Sequence, residues 1–198
     1  MNKIQASLLT IAWVFFLVGC SDKEVKKVLV MASGKVQVDG NVITLEPGTT
    51  HTENVITVTD GKLTVKTPSG SSDFNVAEKG IYILNIKNDT VVGSYQRIGT
   101  DNSQQVISQE NLKMRVDSLS QLMAGTNVNA ANRNFCIFPN QLVKISGNTE
   151  AEIIGPYKRV PGSFEGGKEH EIYKFYTNKE MQEIVGKLSK MMEPVKAE

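Results

Sequence analysis

The sequence contains few of the residues that bind metals. Its 198 residues include only two cysteines and two histidines, whereas zinc sites draw most of their ligands from clusters of these residues. Glu169, His170 and Glu171 form one short patch of candidate ligands, but no second histidine follows at the spacing of a zinc-binding helix. We therefore predict no metal site, and no other motif in the sequence predicts a cofactor.

An excess of charge of one sign is also lacking. The 22 Lys and Arg residues nearly balance the 21 Asp and Glu residues, which leaves a net charge of +1. Domains that bind nucleic acid normally carry a marked basic excess, so we predict no nucleic-acid partner. Gly162, Gly167 and Lys168 match the spacing of a phosphate-binding loop, but Glu169 stands where that loop needs Ser or Thr. No nucleotide partner is predicted either.

Long hydrophobic runs are missing apart from one stretch near the N-terminus. Leu8–Gly19 is an almost unbroken apolar run of 12 residues. As a helix it would span about 18 Å, which is too short for a hydrocarbon core of about 30 Å. With Lys3 before it, the run is typical of a cleaved signal peptide. The only tryptophan, Trp13, lies inside this segment and would leave with it.

The end of this segment carries the most specific motif in the chain. Leu17, Val18 and Gly19 directly precede Cys20, and these four residues resemble the lipobox of bacterial lipoproteins. The resemblance implies that residues 1–19 are a lipoprotein signal peptide and that Cys20 receives a diacylglyceryl group and a further, palmitate-like acyl chain. Several buried acyl chains would make membrane lipid a durable partner, whereas one chain binds only marginally.

The residues after the cysteine bear on localisation. Position 21 is Ser rather than the Asp that resembles an inner-membrane retention signal, which favours the outer membrane. Residues 20–27 then form the lipid anchor and a charged tether that reaches about 25 Å. Residues 21–24 also resemble the acidic tags of some surface lipoproteins, so display on the cell surface is the alternative to the periplasmic face, which we favour.

Residues 28–100 have the pattern of a β domain. β-branched and aromatic residues are frequent, and turn signals recur every 8–12 residues, which predicts an antiparallel, β-sandwich-like domain. Two hairpins are predicted across Asp-Gly and Asn-Asp turns. The first pairs Asn54–Thr59 with Lys62–Thr67, and the second pairs Gly80–Lys87 with Thr90–Arg97.

Residues 101–198 predict a smaller α+β half, either a second domain or a continuation of the first. Leu112, Val116, Leu119 and Met123 recur at helical spacing and predict a helix that ends at Gly125. A capping box from Thr177 to Glu180 opens a second, C-terminal helix. Four short strands are predicted between the helices, at 135–138, 141–146, 151–154 and 171–176. The overall fold class is therefore α+β.

Catalytic motifs are not recognisable. The sequence has no GxSxG nucleophile motif, and Cys136 lies in the apolar segment Phe-Cys-Ile-Phe, where burial raises the pKa of a thiol and shields it. We predict no catalytic residues and a non-catalytic interaction or accessory module of the bacterial envelope. A lipoprotein that binds a small ligand or glycan in a groove of the β domain is the alternative, and an enzyme acting on envelope polymers is the third.

One segment combines aromatic and cationic residues on a glycine-rich loop. Tyr157, Lys158, Arg159 and Phe164 are candidates for contact with an envelope protein partner, because Tyr and Arg contribute strongly to interfaces. In the more conservative interpretation, the aromatic side chains of the segment pack under the C-terminal helix while its cations face solvent.

Overall fold

The computed structural model describes residues 25–96, 109–129, 131–161 and 170–192. These residues form ten strands and two helices arranged in two sheets. The strands are β1 Lys26–Asp39, β2 Val42–Thr57, β3 Lys62–Thr67, β4 Gly70–Asn75, β5 Gly80–Asn85, β6 Val91–Gln96, β7 Asn134–Ile137, β8 Gln141–Ser146, β9 Glu152–Ile154 and β10 Ile172–Thr177. The helices are α1 Gln109–Met123 and α2 Asn178–Met192. The signal segment, Cys20 and Phe164 lie outside the described residues.

The first sheet contains six strands in the order β4-β3-β2-β1-β5-β8. It is strongly curled, because the tip of the long β1–β2 hairpin pairs with β3, the strand that follows the opposite end of the hairpin. Val42–Thr44 at the start of β2 pair in parallel with Thr64–Lys66 of β3. Asn41 Nδ2 at the tip also donates to Asp60 Oδ2, just after β2, at 3.3 Å. The sheet is therefore nearly closed and barrel-like, with its remaining opening between the outer strands β4 and β8.

A bulge in the β1–β2 hairpin produces this curl. The register shifts between Ser33 and Gly34, where β2 carries three extra residues, 48–50. Gly34 has a φ of +123°, and a Cβ there would lie 2.1 Å from the carbonyl oxygen of Glu46. Only glycine fits this close approach, and bulges of this kind bend a strand and increase its twist.

The interior of the barrel-like sheet is filled by alternate residues of its strands. On β1, Val28, Val30 and Ala32 are fully buried inside, whereas Leu29 and Met31 face the other way, towards the second sheet. Burying one such aliphatic side chain stabilises the fold by about 1.5–3 kcal/mol. The other strands and adjoining segments complete this core with Ile43, Leu45, Ile56, Val58, Leu63, Val65, Val76, Tyr82, Leu84 and Ile86.

The second sheet has the order β7-β6-β10-β9 and covers the outside of β1 and β5. Leu29 and Ile83 of the first sheet pack in one cluster with Ile137, Tyr173 and Phe175 of the second. The opposite face of the second sheet carries α1 and α2, which meet it through a smaller cluster of Val92, Leu122 and Met181. The described residues thus form three layers, namely the barrel-like sheet, the four-stranded sheet and the pair of helices.

The α+β, β-rich class is confirmed, but both predicted hairpins are wrong and the first sheet is mixed. β3 pairs antiparallel with β4 and parallel with the start of β2. β5 lies between β1 and β8, while β6 joins β7 and β10 in the other sheet. The turn dipeptides mark strand ends correctly, but they do not determine partners. All residues of β5 are buried, so this strand needs a neighbour on each edge and a covered surface on each face.

Both predicted helices are present. α1 buries Leu112 and Leu122, and it is followed by Gly125 with a φ of +70°, which suits a helix C-terminus. The predicted capping box opens α2. Thr177 N–H donates to Glu180 Oε2 at 2.9 Å, and Glu180 N–H donates back to Thr177 Oγ1 at 3.2 Å. The four short strands after α1 also form, within a residue or two of the predicted positions.

Candidate functional site

Tyr157 and Lys158 lie on a loop that follows β9, and residues 155–158 of this loop are called the strap below. Tyr157 has a φ of +63°, and its backbone N–H donates to Glu180 Oε1 at 2.7 Å. Its ring is 62% exposed and meets the ring of His51 edge-on, with 5.3 Å between centroids. The strap is therefore attached to both α2 and β2.

Beneath the strap lies a chain of hydrogen-bonded polar side chains. Lys87 Nζ lies 3.2 Å from His51 Nδ1, and His51 Nε2 lies 2.7 Å from Glu53 Oε1. Because an ammonium can only donate, Lys87 donates to Nδ1, and Nε2 is left to donate to the carboxylate. The other oxygen of Glu53 pairs with the ammonium of Lys158 on the strap. We call His51, Glu53, Lys87, Lys174 and Glu180 the polar cluster.

The two lysines of the polar cluster are almost completely buried. Lys87 is 6% exposed and Lys174 is 3% exposed. Desolvation lowers the pKa of both ammonium groups, while Glu180 and Glu53 act in the opposite direction. Lys174 Nζ donates to the carbonyl oxygens of Gly155 at 2.6 Å and Phe175 at 2.7 Å. Each ammonium is thus held by fixed acceptors of the protein itself.

The contacts of the strap leave no room for a side chain at its first residue. A Cβ on Gly155 would lie 1.8 Å from Glu53 Oε1. The backbone of the strap therefore rests directly on a carboxylate whose side chain is 6% exposed. Every charged group of the polar cluster already has a partner within the protein. The contacts of the polar cluster therefore hold the two sheets and α2 together.

A second candidate site is an open groove at the end of the barrel-like sheet. It has a volume of about 510 Å³ and is lined by the β3–β4 hairpin, by the bulged middle of the β1–β2 hairpin, and by the segments that follow β5 and precede β8. Among the described residues, none that lines the groove is charged. Five lining residues carry hydroxyl groups, namely Ser33, Thr67, Ser69, Ser71 and Ser72. We call this the seam groove, because its lining extends from β4 to Asn140, directly before β8, and these are the two outer strands of the sheet.

The rest of the seam groove is apolar or amide-bearing. Leu45, Val65 and Ile86 belong to the barrel core and form its floor together with Phe74, which is partly buried. Two amides, those of Asn88 and Asn140, complete the rim.

Asn85 fixes the position of this rim. This fully buried residue donates from Nδ2 to the carbonyl oxygens of Asp89 at 2.9 Å and Ile137 at 3.0 Å. Its own carbonyl accepts from the N–H of Asn140 at 2.7 Å. The groove thus has one wall that is hydrogen-bonded in place.

Neither site was identified as a whole from the sequence. Tyr157 and Lys158 are brought together with the polar cluster, Arg159 is exposed next to them, and Phe164 and Cys20 lie outside the described residues. Binding of a partner by these residues stays a prediction. The polar cluster joins positions from 51 to 180 that share no motif, and the only local signal was the run of Tyr157 and Lys158 itself.

The described residues also bear on metal, membrane and thiol chemistry. Among residues 25–96, 109–129, 131–161 and 170–192, no group of three or more His, Cys, Asp or Glu side chains could hold a metal ion. Within the same ranges, no helix has both the length and the apolar character needed to cross a membrane. Burial raises the pKa of the Cys136 thiol, as predicted, although this side chain is only partly buried.

Comparison of the chain with protein-family models finds no match. Comparison with curated proteins and with solved structures likewise finds no significant match.

Proposed function

We propose that this protein is a non-catalytic binding module of the bacterial envelope, anchored in the outer membrane through acylated Cys20, and that the seam groove is its binding site. The observation that carries the proposal is the groove of about 510 Å³ without a charged lining residue. This volume lies within the range of about 300–1,000 Å³ that ligand sites commonly have.

The lining predicts what the groove accepts. A charged group that entered it would lose hydration and find no opposite charge, which is costly. An uncharged chain with hydrogen-bonding groups on one side and apolar groups on the other would meet both the hydroxyl groups and the apolar floor. An uncharged segment of an envelope protein has this character. A neutral glycan is the second candidate, since Phe74 offers an aromatic ring and the rim offers hydroxyls and amides.

The hydrogen bonding of the polar cluster supports a structural role rather than a catalytic one. Its acid–base groups His51, Glu53 and Lys87 are hydrogen-bonded to one another. A general base needs a free lone pair directed at a substrate. We therefore assign the cluster a structural role, with the two sheets packed face to face as the sandwich-like scaffold of the groove.

The short tether supports a role close to the membrane. β1 begins at Lys26, six residues after Cys20, and a fully extended chain reaches at most about 3.6 Å per residue. The folded part would then begin within about 22 Å of the acylated cysteine. Partners of the groove would be molecules of the outer membrane or of the adjoining periplasm.

Site-specific photo-crosslinking in cells tests the proposal. A photo-reactive amino acid replaces Ser69 at the rim of the groove, and in a matched control it replaces Ser118, which is exposed on α1. We expect a saturable adduct from position 69 only, and its loss in a Cys20→Ala background. Adducts of equal yield at both positions, or none at position 69, would contradict binding in the groove. Mass spectrometry of the N-terminal peptide separately tests the acylation of Cys20.

A further inference from the structure

We infer that the seam groove binds an extended polypeptide segment of a partner, which adds a strand to β4. This inference rests on the proposed function, because it names the occupant of the same groove. β4 is an outer strand of the six-stranded sheet and pairs only with β3 among the described strands. Its other edge borders the opening of the barrel, and its residues Gly70–Ser72 and Phe74 line the groove.

The hydrogen-bonding pattern shows which groups of β4 are available for pairing. One step beyond the β3–β4 register, Val76 N–H donates to the carbonyl oxygen of Gly61 at 2.7 Å. In an antiparallel pair the bonded residues alternate along each strand, so every second residue from Val76 faces β3. The residues between them direct their N–H and C=O groups away from β3, towards the open edge. These residues are Ser71, Asp73 and Asn75.

This edge lacks the features that usually protect edge strands. Natural edge strands often carry Lys, Pro or a charge that opposes pairing with another chain. Between Gly70 and Asn75 there is neither Lys nor Pro. The one charge, Asp73, is directed to β3, where it accepts from Thr64 Oγ1 at 2.7 Å and pairs with Lys62 Nζ at 3.0 Å. A second chain can therefore approach the edge without meeting an uncompensated charge.

The size of the groove fits a short strand. The rise per residue along a strand is about 3.3 Å, neighbouring strands lie about 4.8 Å apart, and packed sheets lie about 10 Å apart. The product of these three distances gives a volume of about 160 Å³ for one strand residue. A groove of about 510 Å³ holds roughly three such residues. The groove-lining part of β4 runs from Gly70 to Phe74, so an added strand of this length would pair along most of it.

The lining also determines the chemistry of the segment. Ser72 and Phe74 lie opposite Val65 and Leu63 in the register, on the face that contributes to the barrel core. Alternate residues of an added strand would share this face and should be small or apolar. The intervening residues would face outward beside Ser71 and should be uncharged and polar, such as Thr or Ser. This mode of recognition combines backbone pairing with pockets for alternate side chains.

The experiment selects peptides against the whole protein. Full-length, acylated protein in lipid nanodiscs is exposed to a phage-displayed library of random nonapeptides, with empty nanodiscs as subtraction. The enriched peptides are then measured against Ser71→Pro and Ser71→Ala. Proline removes the outward N–H without removing a bond to β3, whereas alanine removes only the hydroxyl. We expect uncharged peptides with alternating apolar residues, bound at least about tenfold more weakly by Ser71→Pro and within about twofold of wild type by Ser71→Ala.

A second measurement keeps the inference testable if Ser71→Pro fails to fold. Hydrogen exchange of the wild-type amides is recorded with and without a selected peptide. Strand addition along Gly70–Phe74 protects the N–H groups of Ser71 and Asp73. Unchanged exchange at these two residues in the bound state would overturn the inference.

The outcomes separate this inference from the proposed function. Peptides that bind wild type and Ser71→Pro equally would overturn strand addition and leave groove binding intact. Binding of a neutral probe such as maltotriose, without any enriched peptide, would overturn the inference in favour of the glycan alternative. Failure of peptides and maltotriose alike would overturn both.

Discussion

The seam groove and the polar cluster lie back to back on the same strand end, and they are chemically opposite. Ile86 and Asn88 line the groove, whereas Lys87 between them belongs to the cluster. On the groove side, none of the described lining residues is charged, and one edge of β4 has no partner among the described strands. On the cluster side the buried charges are all paired, with the strap resting over Glu53. The groove can still form contacts, while the cluster has already formed its own.

This difference distinguishes a binding site from a structural network of charges, because the two need opposite amounts of unused hydrogen-bonding capacity. A buried ionic network stabilises a fold only when each member is paired, since one missing partner leaves an uncompensated charge. A binding site must keep unused hydrogen-bonding capacity within reach of a ligand. Substitutions in the cluster should therefore lower stability and leave ligand binding to the folded protein unchanged. Substitutions in the groove should do the reverse.

The largest effect is expected from Glu53→Ala. It removes the acceptor of both His51 and Lys158 from a site that is 6% exposed, and removing one partner of a buried pair costs about 3 kcal/mol. Urea denaturation should show this loss in the free energy of unfolding. Glu46→Gln, which breaks an exposed pair with Lys35 at 4.0 Å, should change it by less than about 0.5 kcal/mol. Equal losses in the two variants would remove the special role of the cluster.

A smaller loss is expected from Gly155→Ala. The added methyl group would overlap Glu53 Oε1, so the backbone of the strap must move away from Glu53. We expect this to lower the free energy of unfolding by about 2 kcal/mol. Gly186→Ala on α2 is the matched control. A Cβ there meets nothing within 4 Å, and alanine favours a helix over glycine by about 1 kcal/mol. The melting temperature should therefore fall in Gly155→Ala and rise in Gly186→Ala. A similar shift in both variants would contradict the close contact between the strap and Glu53.

The pH dependence of stability should reveal the buried ammonium of Lys174. Because desolvation lowers its pKa in the folded state below the usual 10.5, the folded protein releases this proton before the unfolded chain does. The free energy of unfolding should then rise with pH between the lowered pKa and 10.5. Lys174→Met should lose this contribution, so urea denaturation at a series of pH values up to 10.5 should show the free energy of unfolding of wild type rising relative to that of the variant. Lys187→Met on the exposed side of α2 should keep the wild-type slope, and parallel curves for Lys174→Met would exclude the effect.

The smallest effect on stability is expected in the groove. Ser72→Lys places a charge in an uncharged groove at an exposed position, so unfolding should change by less than about 0.5 kcal/mol. Binding of an uncharged ligand should weaken at least about tenfold, because a desolvated ammonium has no partner there. Ser118→Lys on α1 should match wild type in both measurements. Unimpaired binding by Ser72→Lys would move the binding site elsewhere.

The sequence predicted the elements better than their partners. The helices follow from local signals: Leu112 to Met123 at helical spacing, and the capping box of Thr177 and Glu180. Strand pairing does not follow from a turn, because a dipeptide such as Asp60-Gly61 ends one strand without selecting the next neighbour. Ile81–Leu84 is a run of four apolar residues, and such a run is typical of a strand buried on both faces. That signal could have placed β5 in the centre of a sheet.

The candidate sites were harder to predict, for two different reasons. The polar cluster draws on β2, the end of β5, β10 and α2, and only the packing of the two sheets brings His51 and Lys174 to the same strap. The seam groove exists because a sheet curled by the bulge at Gly34 stops short of closing. A bulge of three residues and the resulting register are set by pairing across the sheet, which a linear pattern does not contain.

The exchange of strands between the two sheets has a consequence for folding during synthesis. β6 leaves the first part of the chain to join the second sheet, and β8 returns from the later part to complete the first. The first sheet therefore lacks an outer strand until residue 146 has been synthesised, and β10 must follow before β6 has both of its neighbours. Contacts of such long sequence separation form slowly. A chain that emerges from the ribosome would therefore complete both described sheets only after Thr177 has emerged.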